Sequence, residues 1–497
     1  MGIIQRQSIK QSIVTYIAVL VGAINILVIY PTMLTEEEFG LVQFVLKTAE
    51  MITPFVLLGT GHIAVKFFPE FQDKTQKHHG FLSLLLMIVL IGQILFLLIS
   101  LTFQESILDY FLREHESELY VTFVFYILPL VILIGLNQVI SRYIVNFNRI
   151  VIPQIFNNLF LKLGLLTLCL TYFYDFIDFV LLMRGLIVVY LLILIALLIY
   201  LKTLGHLSLR FNFNFLTKDR IKRIADYAGF SILAGFGSML AFRIDFFMVG
   251  MLVDLSSVAV YAIAFFIADA IDIPRKAIES ISAPIISQAW QRNDIAHIEE
   301  LYKKSSINLL IVGLFFLIGI WSCIDHLFDM IPNNEKYAQG KYIVLILGMA
   351  RIVDMVTGIN AQIIALSKYY RFTFYAMLAL AVINVFTNFL LIPPFKIYGA
   401  AFATLTSLIL FNFLKLGFIY KKIKIQPLSL KTLAVFGIGI SVYLLTLLLP
   451  NVGHPLLNIL IKAVFITVTY GSMILYFNIS QDITNIVNKF LKKGNKV

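Results

Sequence analysis

Residues 12–30 read SIVTYIAVLVGAINILVIY, nineteen residues without a charge, with Asn25 as the lone amide. A helix needs about 20 mostly apolar residues to cross the hydrocarbon layer, so this stretch is long enough to span. The residues ahead of it carry Arg6 and Lys10, but the apolar run is too long for a signal peptide and no small-residue cleavage site follows. It reads as a retained first span. Working outward, similar windows recur near 40–59, 81–101, 119–140, 153–173 and 179–201, ahead of a polar stretch at 202–227. Eight more follow near 229–252, 258–278, 306–324, 342–364, 374–392, 400–420, 432–449 and 457–477. The expectation is an all-α polytopic membrane protein of about 14 transmembrane helices.

Composition agrees. Of the 497 residues 60% are hydrophobic and 13% charged, against about 25% charged in an ordinary soluble domain. That balance excludes a soluble enzyme domain, a disordered chain, a coiled coil and an outer-membrane barrel. The net charge of +11 is scattered over short loops, whereas a nucleic-acid binder gathers its basic residues on one face; no nucleic-acid partner is expected. Cys169 and Cys323 lie in or beside apolar stretches and read as small core residues. His78 and His79 read as a solvated loop without further ligands at metal spacing. No metal, cofactor or catalytic group is expected, and the chain reads as a non-enzyme. Thr35 with Glu38 fits a capping box opening the second span.

Loop charge orients the chain. With the N-terminus inside, 26 loop lysines and arginines fall on the inner side, and three, Arg113, Lys336 and Lys396, on the outer. The positive-inside rule then places both termini in the cytoplasm. The outer loops are short, which argues against a membrane enzyme with an external catalytic domain.

The polar stretch 202–227 divides the chain. Residues 1–201 form an expected N-terminal bundle of spans 1–6 and residues 228–420 a second bundle of spans 7–12. Spans 13 and 14 follow at 421–477, then a cytoplasmic tail at 478–497. A shift of 220 positions lays Pro54 on Pro274 and TAEMITP on ADAIDIP, as expected of two pseudo-symmetric six-helix bundles. In the tail, Ile483, Ile486, Val487, Phe490 and Leu491 share a helix face behind Ser480 as N-cap, the pattern of an interfacial helix. The stretch 215–227 reads similarly.

Ionisable side chains inside a bilayer cost several kcal/mol unless they face a partner or a wet cavity, so they are functional candidates. The embedded cations are Lys47, Lys162, Arg184, Arg243, Arg275, Lys276 and Arg351, and the acids Glu50, Asp245, Asp269, Asp272, Glu279 and Asp354. In span 8, Asp269, Asp272, Lys276 and Glu279 fall within an arc of about 80°, and Pro274 among them should bend the helix. Lys47 with Glu50, and Arg351 with Asp354, stand at i, i+3 and can neutralise each other. Arg243 and Asp245 point apart, and span 8 is a suitable source of partners for them. Arg184, Lys415 and Lys462 lie close enough to span ends to snorkel. Asn25, Asn137, Gln138, Asn157, Asn158, Asn360, Gln362, Asn384, Asn388 and Asn412 are amides within spans, suited to sugar hydroxyls or to interhelical hydrogen bonds. The slight cationic excess suits a substrate with anionic and hydroxyl-rich parts.

The run YPTMLTEEEFGLVQF at 30–44, then FRIDFFMVGML at 242–252 and VAVYAIA at 258–264, with Pro274, resembles bacterial oligosaccharide flippases of the polysaccharide transporter family. That family sits within the multidrug/oligosaccharidyl-lipid/polysaccharide exporter superfamily. The resemblance implies two six-helix bundles around a V-shaped, alternating-access cavity, opening laterally between spans 1 and 8. It implies a monomer in the bacterial inner membrane that flips a polyprenyl-pyrophosphate-linked oligosaccharide, with a proton or sodium as a possible coupling ion. On that reading Arg243, Arg275 and Lys276 meet the pyrophosphate, with Lys47, Lys162 and Arg351 beside them in the cavity. Glu50, Asp245, Asp269, Asp272 and Asp354 shape the cavity or bind the ion. A lipid II flippase and a cation-coupled multidrug exporter of the same superfamily are the alternatives, with a glycan-processing membrane enzyme behind them.

Overall fold

The computed structural model of the protein describes residues 3–73, 77–106, 109, 118–147, 149–210 and 215–485. These form helices and no strand. Eleven of the described helices are long and apolar enough to cross a membrane. The three remaining expected spans are helical too, but depart from the expectation in instructive ways. Lys218–Leu252 is one continuous helix of 35 residues, so the stretch expected to lie flat at 215–227 instead runs on into span 7. Gly340–Val356 has 17 residues and breaks where Gly358 takes φ +62°, so the window 342–364 is two helices. Leu430–Thr446 also has 17 residues.

The contacts gather the chain into two units, Met1–Ala259 and Val260–Val497. In the first, α1 (Ile3–Ile24) passes into a π-helical turn at Asn25–Ile29. Then come α2 (Glu36–Leu57), α3 (Thr60–Lys66), α4 (Phe81–Thr102), α5 (Ile127–Val145), a second π turn at Ile155–Phe160, α6 (Leu161–Phe173), α7 (Phe179–Thr203) and α8 (Lys218–Leu252). Local chemistry sets several starts. Thr35 and Glu38 form the expected capping box, the Glu38 carboxylate accepting from Thr35 N at 2.8 Å. Asp178 accepts from Leu181 N at 2.7 Å to open α7, and Thr217 accepts from Arg220 N to open α8.

Helix α2 is central to this unit, with fifteen of its 22 residues buried. Gly40 lets it approach the next helix closely: a Cβ there would sit 1.7 Å from the Leu255 carbonyl oxygen. Since backbone cannot yield as a side chain does, Gly40→Ala should destabilise the protein by about 1–3 kcal/mol or more. A thermal unfolding midpoint equal to wild type would contradict this.

The histidine pair is not a solvated loop. His78 is 2% exposed, and its Nε2 lies 3.0 Å from Nδ1 of His206. His206 stacks on Phe147 at 3.9 Å and His79 on Phe215 at 3.8 Å between centroids. Aromatic neighbours from distant segments bury what the local polarity of KHHG suggested was wet.

The second unit runs from the remainder of α9 (Leu255–Asp269) through a 3₁₀ turn at Ala270–Asp272 into α10 (Ile273–Gln291). Pro274 stands in the first turn of α10, where its missing N–H costs least, so the break in span 8 falls just before it. Next are α11 (Ile295–Ser322), α12 (Gly340–Val356), α13 (Asn360–Ala365), α14 (Tyr370–Phe395), α15 (Ile397–Ile423), α16 (Leu430–Thr446) and α17 (Pro455–Tyr476). Leu309, Leu314 and Ile318 of α11 pack with Ile352, Val435, Val442, Ile466 and Tyr470. Lys462 does not snorkel: its ammonium donates to the Ser322 carbonyl at 2.8 Å, capping the end of α11. Ser480 accepts from Ile483 N, the expected N-cap. Ile486, Val487, Phe490 and Leu491 of the expected interfacial helix lie outside the described residues.

Candidate functional site

Each unit carries its own charged cluster. In the first, Lys47 and Glu50 sit one turn apart on α2 and pair at 3.1 Å. Glu50 also takes Arg243 Nε of α8 at 3.0 Å. The partner of Arg243 is therefore α2, not span 8. The sequence places it there: Phe44 and Phe247, three residues before Lys47 and four after Arg243, stack at 5.9 Å and 16°. A Cβ on Gly250 would reach the Phe44 ring at 2.3 Å, so this glycine admits the stack. Residues three and four apart share a helix face, so the aromatic contact brings the charges on the same faces together. Asp245, two residues beyond Arg243, is buried.

Lys162 of α6 lies within electrostatic reach of Lys47 and donates to the Ala18 carbonyl of α1 at 2.7 Å. In return Asn25, opening the first π turn, donates to the Lys162 carbonyl at 2.8 Å. Gly22 leaves the room the ammonium fills, since a Cβ there would stand 2.5 Å from Nζ. Arg184 is exposed on α7 and takes no part.

The second cluster is larger and balanced. Asp272 is 2% exposed and receives Arg275 at 2.5 and 3.0 Å through two nitrogens. The same guanidinium reaches Glu279 at 2.6 Å. Lys276, 58% exposed, lies 3.4 Å from Asp272 and 3.6 Å from Asp269. Of these five groups, Asp269, Asp272, Lys276 and Glu279 follow from the span-8 arc seen in the sequence, and Arg275 joins them beside it.

The α12 pair behaves differently from the expectation. Arg351 and Asp354 do not neutralise each other by direct pairing. Arg351 reaches Asp269 at 3.0 Å, with its guanidinium 5.5 Å from the centre of the Phe265 ring, and its Nε is buried without a partner. Asp354 accepts from Asn412 at 2.7 Å and faces Lys415 at 3.9 Å. Lys415 is 5% exposed, so it is a buried counter-ion rather than a snorkelling residue, its ammonium resting 4.1 Å from the Phe411 ring centre. Thr357 and Asn360 donate to Asn412 Oδ1 at 2.8 and 3.1 Å, tying the break after α12 to α15. Asn412 lies three residues before Lys415, and that i, i+3 relation is the signal that could have linked them.

Four cations, Arg275, Lys276, Arg351 and Lys415, thus meet four acids, Asp269, Asp272, Glu279 and Asp354. Around Glu50 the cations Lys47 and Arg243 pair with the carboxylate, with Lys162 near Lys47 and the buried Asp245 two residues from Arg243. Asp272 is buried, whereas Lys276 is exposed and Asp269, Arg243 and Glu50 are partly so. Among the described residues no group of three histidine, cysteine or acidic side chains could hold a metal ion.

Residues 6–290 match the family described as polysaccharide biosynthesis protein, and residues 231–390 match the family MatE. The chain is 24% identical over 188 residues to the probable low-salt glycan biosynthesis flippase Agl15 of Haloferax volcanii, a match spanning 37% of this chain and 39% of that protein's length. Its fold is that of the lipid II flippase MurJ in an inward closed conformation, with TM-score 0.73 and 14% identity over 95% of this chain and 99% of that one. An inward-facing multidrug resistance MATE family transporter of the MOP superfamily superposes with TM-score 0.61 at 12% identity, over 85% and 98% of the two chains. With its family match running over more than half its length, this multi-pass membrane protein belongs to the polysaccharide biosynthesis protein family and has the fold of MOP-superfamily transporters.

Proposed function

We propose that the protein is a flippase that carries a polyprenyl-pyrophosphate-linked oligosaccharide from the inner to the outer leaflet of the cytoplasmic membrane, for surface polysaccharide assembly. The observation that carries this reading is the gathering of Lys47, Arg243 and Lys162 near Glu50. Ionisable groups embedded in a bilayer protein are functional candidates, and a guanidinium beside an ammonium is suited to pyrophosphate oxygens. Arg243 and Lys47 take the pyrophosphate as Glu50 releases them, and Lys162 adds to the field. In the second unit Lys276 is the cation open to cargo, while Arg275, held by Asp272 and Glu279, is structural. Asp269 and Glu50 trade partners during transport; Asp272 and Asp354 keep their cluster assembled. The glycan flippase and the lipid II flippase among the similar proteins support the reading. Both termini are cytoplasmic on this proposal. Cysteines placed at Glu37 and Arg220 should label from opposite sides of the membrane, and labelling from one side would overturn that orientation.

Transbilayer movement of a short-chain polyprenyl-pyrophosphate oligosaccharide in proteoliposomes tests the function, with a proton or sodium gradient imposed and then dissipated. Protein-dependent movement is expected, and its gradient response reads out coupling. Lipid II is the second reading, favoured by the likeness to a lipid II flippase along 95% of the chain. Movement of lipid II alone would select it, and uptake of cationic dyes with no glycan movement would select a drug exporter.

A further inference from the structure

Where α10 ends, α11 begins, α13 gives way to α14 and α15 ends, the second unit forms an open cavity of about 510 Å³. Trp290, Gln291, Asn293, Leu366, Lys368 and Lys422 are among its walls. The side chains of Lys422, Gln291 and Asn293 are exposed and make no hydrogen bond or ion pair among the described residues, and that of Lys368 has only the ring of its neighbour Tyr369, at 5.3 Å. No carboxylate lines the cavity. The nearby acids are engaged elsewhere: Asp294 caps α11 by accepting from His297 N at 3.0 Å, and Glu299 and Glu300 pair with Lys303 and Lys304 at 2.6 Å.

Two ammonium groups and two amides along a pocket without a carboxylate suit an anion with several oxygens. The cavity is far larger than one phosphate needs, and it lies in the range of small-molecule sites. Its remaining wall is apolar and aromatic: Leu366, and Trp290 fixed by its indole N–H donating to the Ile363 carbonyl at 3.1 Å. Tryptophan and lysine at helix ends are also the groups that meet lipid headgroups. We propose that this cavity binds the phosphate-bearing headgroup of an anionic membrane lipid, joining the ends of α10, α13 and α15. The site is independent of which cargo the protein moves.

The chain has two tryptophans, and Trp321 stands at the far end of α11, so Trp321→Phe leaves Trp290 as the reporter. Full-length W321F protein is reconstituted in phosphatidylcholine vesicles, then in vesicles containing increasing phosphatidylglycerol, and Trp290 emission is followed. A saturating response is expected, and K368Q/K422Q in the same background should shift its midpoint by about 30-fold, at roughly fivefold per lysine. Both lysines are exposed, so the variant should fold. A control, K303Q/K304Q, removes the same charge outside the cavity and should leave the midpoint in place. An equal midpoint in the cavity variant, an equal shift in the control, or no response in W321F would overturn the site. A response to inorganic phosphate in pure phosphatidylcholine vesicles, without one to phosphatidylglycerol, would overturn the lipid assignment and leave a soluble phosphate ester as the ligand.

Discussion

Arg243→Ala should lower transport of the lipid-linked oligosaccharide by about 10- to 100-fold, the worth of one charge-assisted contact to a phosphate oxygen. Folding should survive, because Glu50 keeps Lys47 as its partner at 3.1 Å when the guanidinium is gone. Arg243→Lys should recover part of the rate, since a point charge replaces a planar fork. The decisive comparison is transport rate in proteoliposomes against the thermal midpoint of the same preparations. A wild-type rate in R243A would remove Arg243 from the cargo site. An equal loss of rate and midpoint would make it a structural residue.

The second large effect is on stability. Asp272→Ala should cost about 3–5 kcal/mol, the usual result of removing one partner from a buried ion pair. The Asp272 side chain is 2% exposed and holds Arg275 through both carboxylate oxygens. Without it, that guanidinium keeps Glu279 alone. Lys276→Gln touches the same carboxylate from a side chain that is 58% exposed, and should cost less than about 1 kcal/mol. Thermal unfolding in one detergent separates the two, and matching midpoints for D272A and K276Q would refute the distinction between framework and exposed tip.

The membrane helices were legible because hydropathy is a local property, and a window such as 12–30 needs no tertiary context. Caps were legible for the same reason: Thr35 with Glu38, and Ser480, act within one turn. Lys47 with Glu50 and the span-8 arc were readable from helical spacing. Spacing says which side chains can meet, not which do. Arg351 and Asp354 stand one turn apart, yet Asp269 and Lys415 are better placed for them. Lys415 looked like a residue near a helix end because its buried partner lies 61 positions earlier. His78 looked wet because its aromatic and imidazole neighbours come from residues 147 and 206. The breaks after Val356 and before Lys218 followed from backbone choices at Gly358 and Thr217 that hydropathy averages away.

The two π-helical turns, Asn25–Ile29 and Ile155–Phe160, affect more than local hydrogen bonding. Each closes its turn with one residue more than an α-helix uses, which offsets the rotational phase of everything beyond it by about 100°. One hydrophobic helix can therefore address one set of neighbours before the offset and another after it, with no interruption in apolar sequence. Asn25 and Lys162, exchanging hydrogen bonds across the two helices, act as the index mark that keeps the two offsets in step.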